Sequence, residues 1–302
     1  MRPPLSMRFF GALGLVVLSA TAVHATSTVR LPDWVCAHPD AMFVDGFQQA
    51  NAVLRSPSNG SGGAIGNVLR AVVVPGYGTR NVYLRVPPSY SPTRPMPLVF
   101  ALHGQAGSAA AAQTAAQAVR NAWSTAADTN GFIIIAPVAS GNSGGWIAPP
   151  PGPSDYDTFA AAIADVEAAY TIDRSRRIGW GFSAGGHVMH DLVLNAYSDE
   201  VTIDTFAAYS VSAGVFAGLA CSSAASCNAL VAGASRRIPV DIHVGGSDSL
   251  LPYATSDRNV FVANDWTLGT DLWFTTFPGG HSYAPAHLAE IWTNLCPFQA
   301  LP

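Results

Sequence analysis

From about residue 80 onward the chain alternates short apolar runs with longer segments of helical periodicity. NVYLRV (Asn81–Val86) alternates apolar and polar positions, the pattern of a strand buried on one face. Six later runs are apolar almost throughout and bounded by turn residues: Pro97–Leu102, Phe132–Val138, Arg176–Phe182, Phe206–Ala213, Pro239–Val244 and Leu272–Phe277. Such runs suit strands whose sheet is covered on both faces. Between them, Ala109–Ala127, Tyr156–Tyr170, Gly186–Tyr197 and Ala286–Leu295 read as helices. Strand, helix, strand, helix predicts one α/β domain: a mostly parallel central sheet with helices on both faces, opened by a short antiparallel stretch. The segment RSPSNGSGGAIGN (Arg55–Asn67) reads as a loop, and no internal repeat is visible. In an open sheet of this kind ligands bind beyond the carboxyl ends of the strands, so chemistry is sought where each run stops.

The first such end is Gly181-Phe182-Ser183-Ala184-Gly185, a G-x-S-x-G elbow between a strand and a helix. The glycines leave room for a sharp turn that lifts the serine hydroxyl above the sheet, beside a helix N-terminus that favours developing negative charge. A serine hydroxyl needs a base to take its proton, and the base needs an acid to orient it. The loop GGSDSLLPY after one strand offers Asp248, and PGGHSY after the last strand offers His281. The chain order Ser183, Asp248, His281 is the one this architecture uses. Asp241 competes for the acid but falls inside its strand; Asp257 and Asp265 are second choices. An oxyanion hole requires two donors. The backbone N–H of Ala184 is one, and that of Gln105, in LHGQAGS (Leu102–Ser108), is the other. His187 and His190 lack a third ligand at metal spacing and read as packed helix residues.

Composition narrows the setting. The opening 25 residues place Arg2 and Arg8 before an apolar stretch and end on small residues, the pattern of an export signal cleaved after Ala22 or Ala25. The mature chain, residues 26–302, then reads as one catalytic domain, secreted or periplasmic. Loss of the two arginines moves the formal charge from −4 to −6, which disfavours nucleic acid and anionic membranes as partners. The apolar stretch is too short for a membrane span. All fifteen basic residues are arginine. Four cysteines in an exported chain favour disulfides; of three connectivities, Cys221–Cys227 with Cys36–Cys296 is preferred, the second tying the mature start to the end.

LVFALHGQAGS, IDRSRRIGWGFSAGG, GGSDSLLPY and PGGHSY together resemble the secreted α/β-hydrolases grouped with polyhydroxybutyrate depolymerases, feruloyl esterases and acetylxylan esterases. The resemblance covers about Arg80 to His281. It implies the α/β-hydrolase fold, with Ser183 as nucleophile, Asp248 as acid, His281 as base and an oxyanion donor after His103-Gly104. The chain departs from the family in carrying Val244 before Gly245, where His is common, and His187 where methionine is common. The expected activity is ester hydrolysis through an acyl-enzyme, without metal or organic cofactor and as a monomer. The substrates implied are feruloyl- or acetyl-type plant-wall esters, or hydroxyalkanoate oligomers. The segment Ser140–Asp157 should overhang the site, and Trp146, Tyr156, Tyr253 and Tyr283 are the aromatic candidates for a substrate wall. An acyltransferase using the same triad, and a non-catalytic binding relative, are the competing classes.

Overall fold

A computed structural model of the chain describes residues 27–37, 55–150, 152–195 and 201–302. The export signal read in residues 1–25 lies outside these, as does the end of the helix expected to run to Tyr197.

The first strand, β1 (Thr28–Arg30), is followed by a single turn, α1 (Trp34–Ala37). Eight strands then build the main sheet: β2 (Gly66–Val74), β3 (Gly78–Val86), β4 (Met96–Leu102), β5 (Ile133–Pro137), β6 (Ile172–Phe182), β7 (Ala208–Ser212), β8 (Val240–Gly245) and β9 (Leu272–Phe277). Their spatial order is β2-β3-β5-β4-β6-β7-β8-β9. β2 and β3 are antiparallel, as are β3 and β5, and every later pairing is parallel. β10 (Phe298–Ala300) pairs separately with β1, which brings the two ends of the described chain together. The Cys36–Cys296 disulfide fastens that junction, and Cys221–Cys227 closes a short loop.

The helices are α2 (Ala109–Asn130), α3 (Asp155–Ala169), α4 (Ala184–Leu194), α5 (Ala224–Ala232), α6 (Leu251–Ala263) and α7 (Pro285–Leu295). They divide between the two faces because the central strands are apolar on both. Leu98, Phe100 and Leu102 of β4 join Ile133 and Ile135 in one core, where Phe159 of α3 and Val188 of α4 pack. Val99 and Ala101 join Ile134, Ile178 and Trp180 in the other, under Trp123 of α2 and Trp292 of α7. Every residue of β4, β5, β7 and β8 is buried. The edge strand β2 instead alternates partly covered and exposed positions, with only Val72 and Val74 buried.

Three features differ from the sequence expectation. The antiparallel start is not short: β2 and β3 pair over nine residues each. β2 has an edge strand's half-open pattern, and its apolar run Val72–Val74 alone is too short to signal a strand. Helices α5 and α6 lie where no helical periodicity was evident. α5 buries only Val231, and it is held by the Ser223 capping box and the nearby disulfide instead of by an apolar stripe.

Candidate active site

Ser183 closes β6 and caps α4 with φ 53° and ψ −121°, a left-handed backbone that a side-chain-bearing residue rarely takes. Its surroundings enforce the turn. A Cβ on Gly181 would overlap the Gly185 carbonyl, and one on Gly185 would lie 2.5 Å from the Leu102 carbonyl oxygen. The glycines are therefore needed for close approach of β4, β6 and α4, not for their own dihedral freedom. The strand ladder reaches the turn itself: the Ser183 N–H donates to the Ser212 carbonyl at 2.9 Å.

Two loops at the same sheet edge meet the serine. His281 Nε2 lies 2.8 Å from Ser183 Oγ, and its Nδ1 lies 2.9 Å from Asp248 Oδ2. Because a carboxylate only accepts, Nδ1 carries the proton and Nε2 presents a lone pair to the hydroxyl. Asp248 is held in turn: its side chain is fully buried, and its Oδ1 accepts the Leu250 N–H at 2.9 Å. The acid and histidine loops are tied by backbone bonds, Ser247 N–H to the Gly279 carbonyl and Gly246 N–H to the Phe277 carbonyl, both 2.8 Å. Three residues distant in the chain thus converge within hydrogen-bond reach.

The other acids go elsewhere. Asp241 is buried in β8, 2.9 Å from His243 Nε2, and accepts from Asn294 Nδ2 at 2.9 Å. Asp257 accepts the Phe216 N–H at 2.9 Å, and burial pushes its carboxyl up to about 7. Asp265 occupies a left-handed turn after α6.

Opposite the triad, Gly104 lies against the elbow, and a Cβ there would sit 3.1 Å from that of Ser183. The next residue, Gln105, and Ala184 both keep their backbone N–H free of protein acceptors among the described residues. The loop is braced by the buried His103, whose Nδ1 donates to the Gly104 carbonyl at 2.7 Å while its Nε2 accepts the Ala139 N–H at 3.1 Å. Desolvation holds this imidazole below its ordinary range and keeps it neutral. Trp146 donates its indole N–H to the His103 carbonyl at 2.8 Å and packs on the His103 ring.

A pocket of about 380 Å³ opens beside the hydroxyl, lined by Gln105, Trp146, Ser183, Ala184, His187, Val188 and residues 217–219. That size suits a small-molecule group. Of the four aromatics expected as a substrate wall, Trp146 alone lines it. Tyr156 does not: it is 2% exposed, packed on Phe159, with its hydroxyl donated to Asp191. Its place at the start of α3 turns it inward, because Ser154 and Asp157 form the helix cap and Asp155 accepts the N–H groups of Ser140 and Ile147. Tyr253 stands exposed on α6, outside the pocket lining. Tyr283 is half-buried, edge-on to Phe182 and Trp180 and outside the pocket lining.

The pocket includes residues the sequence reading passed over. His187, a packing residue by its sequence pattern, is one helical turn past Ser183 and lines the pocket, whereas His190 is wholly buried and pushed down to about 3 by desolvation. Ala217, Gly218 and Leu219 come from the loop after β7, which no motif marks. The available signal is positional: that loop leaves a central strand at its carboxyl end and runs into the Cys221–Cys227 disulfide.

No protein-family model matches this sequence, and no curated protein matches it. Solved structures do. A ferulic acid esterase superposes with a TM-score of 0.60 at 17% identity, over 76% of this chain and 98% of the esterase. A serine-to-alanine mutant of the feruloyl esterase module from Clostridium thermocellum, complexed with sinapinate, gives 0.56 at 18% identity, over 83% of this chain and 96% of the module. A poly(3-hydroxybutyrate) depolymerase from Bordetella parapertussis gives 0.52 at 18% identity, over 77% and 90% respectively. At these identities the likeness is one of fold, and with its central sheet, helix-covered faces and strand order the chain has the α/β-hydrolase fold.

Proposed function

We propose that this chain is an exported serine ester hydrolase in which residues 26–302 form one catalytic domain, with Ser183 as nucleophile, His281 as general base and Asp248 as the orienting acid. The reading is carried by one observation: His281 bridges Ser183 Oγ and Asp248 Oδ2 at 2.8 and 2.9 Å while the serine sits at a left-handed elbow. His281 takes the hydroxyl proton as Oγ attacks the ester carbonyl carbon. The oxyanion accepts the N–H groups of Gln105 and Ala184; a single donor of this kind contributes about 3 kcal/mol to lowering the barrier. The imidazolium gives its proton to the leaving alcohol as the carbonyl–oxygen bond breaks, which leaves an acyl-serine. Water then gives a proton to His281 and attacks the acyl carbon. Return of that proton to Ser183 releases the carboxylic acid and restores the serine.

Substrates of the feruloyl or acetyl plant-wall type, and hydroxyalkanoate esters, are the classes in view. The first has support in the likeness to a feruloyl esterase module complexed with sinapinate, and the second in the likeness to a poly(3-hydroxybutyrate) depolymerase. Two disulfides and the N-terminal signal pattern support export. A fluorophosphonate probe should label the wild type and leave Ser183→Ala unlabelled. Hydrolysis of short nitrophenyl esters should disappear with the same substitution. An unlabelled wild type, or equal labelling of both proteins, would overturn the assignment.

A further inference from the structure

His187 is the feature of the pocket that the catalytic steps leave unused. It stands four residues past Ser183, in the first turn of α4, its ring against the Ser183 backbone, and the two residues line the same pocket. Its Nδ1 lies 2.7 Å from the Ser183 carbonyl oxygen, which is an acceptor only, so Nδ1 carries the proton and donates it there. Nε2 is then left with a lone pair and no protein partner among the described residues, on a residue that lines the pocket. Desolvation pushes this imidazole below its ordinary range, and the neighbouring His281 adds to the effect, so the ring stays neutral and the lone pair stays available. The other polar hydrogens of the lining side chains are engaged. The indole N–H of Trp146 goes to the His103 carbonyl, the Gln105 amide N–H to the Ser143 carbonyl, and the Ser183 hydroxyl to His281. Ala184, Val188, Ala217 and Leu219 make the rest of the wall apolar. The pocket is thus an apolar recess with an unpaired acceptor close to the reacting oxygen.

We propose that His187 determines substrate choice: its Nε2 accepts a hydrogen bond from a hydroxyl two or three bonds from the scissile carbonyl, so the site takes esters of short hydroxyacyl groups. The distance decides between the two classes in view. A 2- or 3-hydroxyl can reach Nε2 while the carbonyl carbon sits on Oγ; a phenolic hydroxyl at the far end of a cinnamoyl chain lies beyond that reach. This inference rests on the serine hydrolase reading.

The experiment compares three 4-nitrophenyl esters: 3-hydroxybutyrate, 3-methoxybutyrate and butyrate. The wild type should favour the hydroxy ester over both others by about tenfold or more in kcat/KM, since an acceptor that bound substrate covers and leaves unpaired penalises the analogue that lacks the donor. The methoxy ester has the bulk and the oxygen without the proton, so it separates hydrogen bonding from polarity. His187→Leu should bring the ratio of hydroxy ester to butyrate close to one, and His187→Gln, which retains an acceptor, should restore part of it. Equal turnover of the three esters by the wild type overturns the proposal without needing a variant that folds. So does a leucine variant that slows hydroxy ester and butyrate by the same factor, which would mark His187 as a brace for the Ser183 carbonyl. Probe labelling of Ser183 without turnover of any of the three also overturns it. Absence of both labelling and hydrolysis instead sinks the hydrolase reading beneath it.

Discussion

Gly186 and Gly214 touch backbone to backbone: a Cβ on Gly186 would lie 2.7 Å from the Gly214 Cα, and one on Gly214 2.6 Å from the Gly186 Cα. Gly186 is in the first turn of α4 and Gly214 follows β7, so this contact sets how closely the helix capped by Ser183 approaches the strand edge. Neither residue needs a left-handed φ. Alanine at either position must therefore push α4 away, at a cost of about 1–3 kcal/mol. Because Ser183 caps α4, the displacement also lengthens the Ser183–His281 bond. Gly186→Ala and Gly214→Ala should each melt several degrees lower and lose about tenfold or more in kcat. Thermal melts and ester kinetics on the same preparations check both; an active, fully stable Gly214→Ala protein would show that the helix has slack.

Asp248→Asn tests the acid more cleanly than removal does. Asparagine keeps an oxygen for the Leu250 N–H but offers an amide N–H to the imidazole, which reverses the tautomer and turns the His281 lone pair away from the serine. The expected loss in kcat is roughly 10⁴-fold with little change in melting temperature. Asp241→Asn should instead leave the chemistry in place, since that carboxylate faces His243 and Asn294 inside the sheet. A large kcat loss in Asp241→Asn alone would exchange the roles of the two acids.

Tyr156 makes the contrast between core and pocket measurable. Tyr156→Phe removes a donor from the buried Asp191, whose carboxyl burial already raises and whose other oxygen accepts from Asn195 Nδ2. Stability should fall by about 1–3 kcal/mol, read from denaturant unfolding, with KM for short esters unchanged. Trp146→Ala should show the opposite emphasis, a raised KM.

These cases explain what was readable in advance. Strands β4, β5, β7, β8 and the end of β6 announce themselves because burial on both faces keeps most of their positions apolar. Ser183, Asp248 and His281 stand just past the ends of β6, β8 and β9, so their positions follow from strand boundaries. Which way a loop aromatic points does not. Tyr156 and Trp146 lie ten residues apart in one segment, yet a helix cap at Ser154 turns the first into the core and an indole bond to His103 holds the second at the pocket. His187 reads as a packing residue for a related reason: helical periodicity cannot tell a buried neighbour from one that lines a recess when part of that recess is formed by the loop after β7, about thirty residues on.

The two disulfides should separate stability from substrate binding. Cys36–Cys296 closes a loop with a separation of 260 residues, whereas Cys221–Cys227 spans 6. By chain entropy the first stabilises by about 5 kcal/mol and the second by about 2 kcal/mol. Paired serine substitution at Cys36 and Cys296 should thus lower the melting temperature more. Serine at Cys221 and Cys227 should act chiefly on KM, because the Gly218 N–H donates to the Cys221 carbonyl and Ala217–Leu219 form one wall of the pocket. Matched melts and Michaelis curves for the two double variants decide it; the reverse pattern would mean that the 217–219 wall is held by its own packing.

Asp257 gives the fold a pH dependence with a definite sign. Its carboxyl stands at about 7 in the folded chain against 3.8 for the free group, because burial beside Phe216 and Phe261 penalises the charge more than the Phe216 N–H relieves it. The folded state therefore holds this proton more tightly than the unfolded one. Below about pH 4 both states are protonated and the stabilisation is fully present. As pH rises to about 7 the unfolded chain ionises first, and stability drains away at up to about 1.4 kcal/mol per pH unit; above that the loss is complete. His190, pushed down to about 3, works in the opposite direction, losing stability as pH falls below about 6.5, but it is common to wild type and variant. Asp257→Asn keeps an oxygen for the Phe216 N–H and cannot ionise. The difference in unfolding free energy, variant minus wild type, should climb between pH 5 and pH 7 and then level off. A difference that stays flat across that window would mean the wild-type carboxyl is already ionised beneath the pocket loop, and that charge would then have to be matched by a donor beyond Phe216.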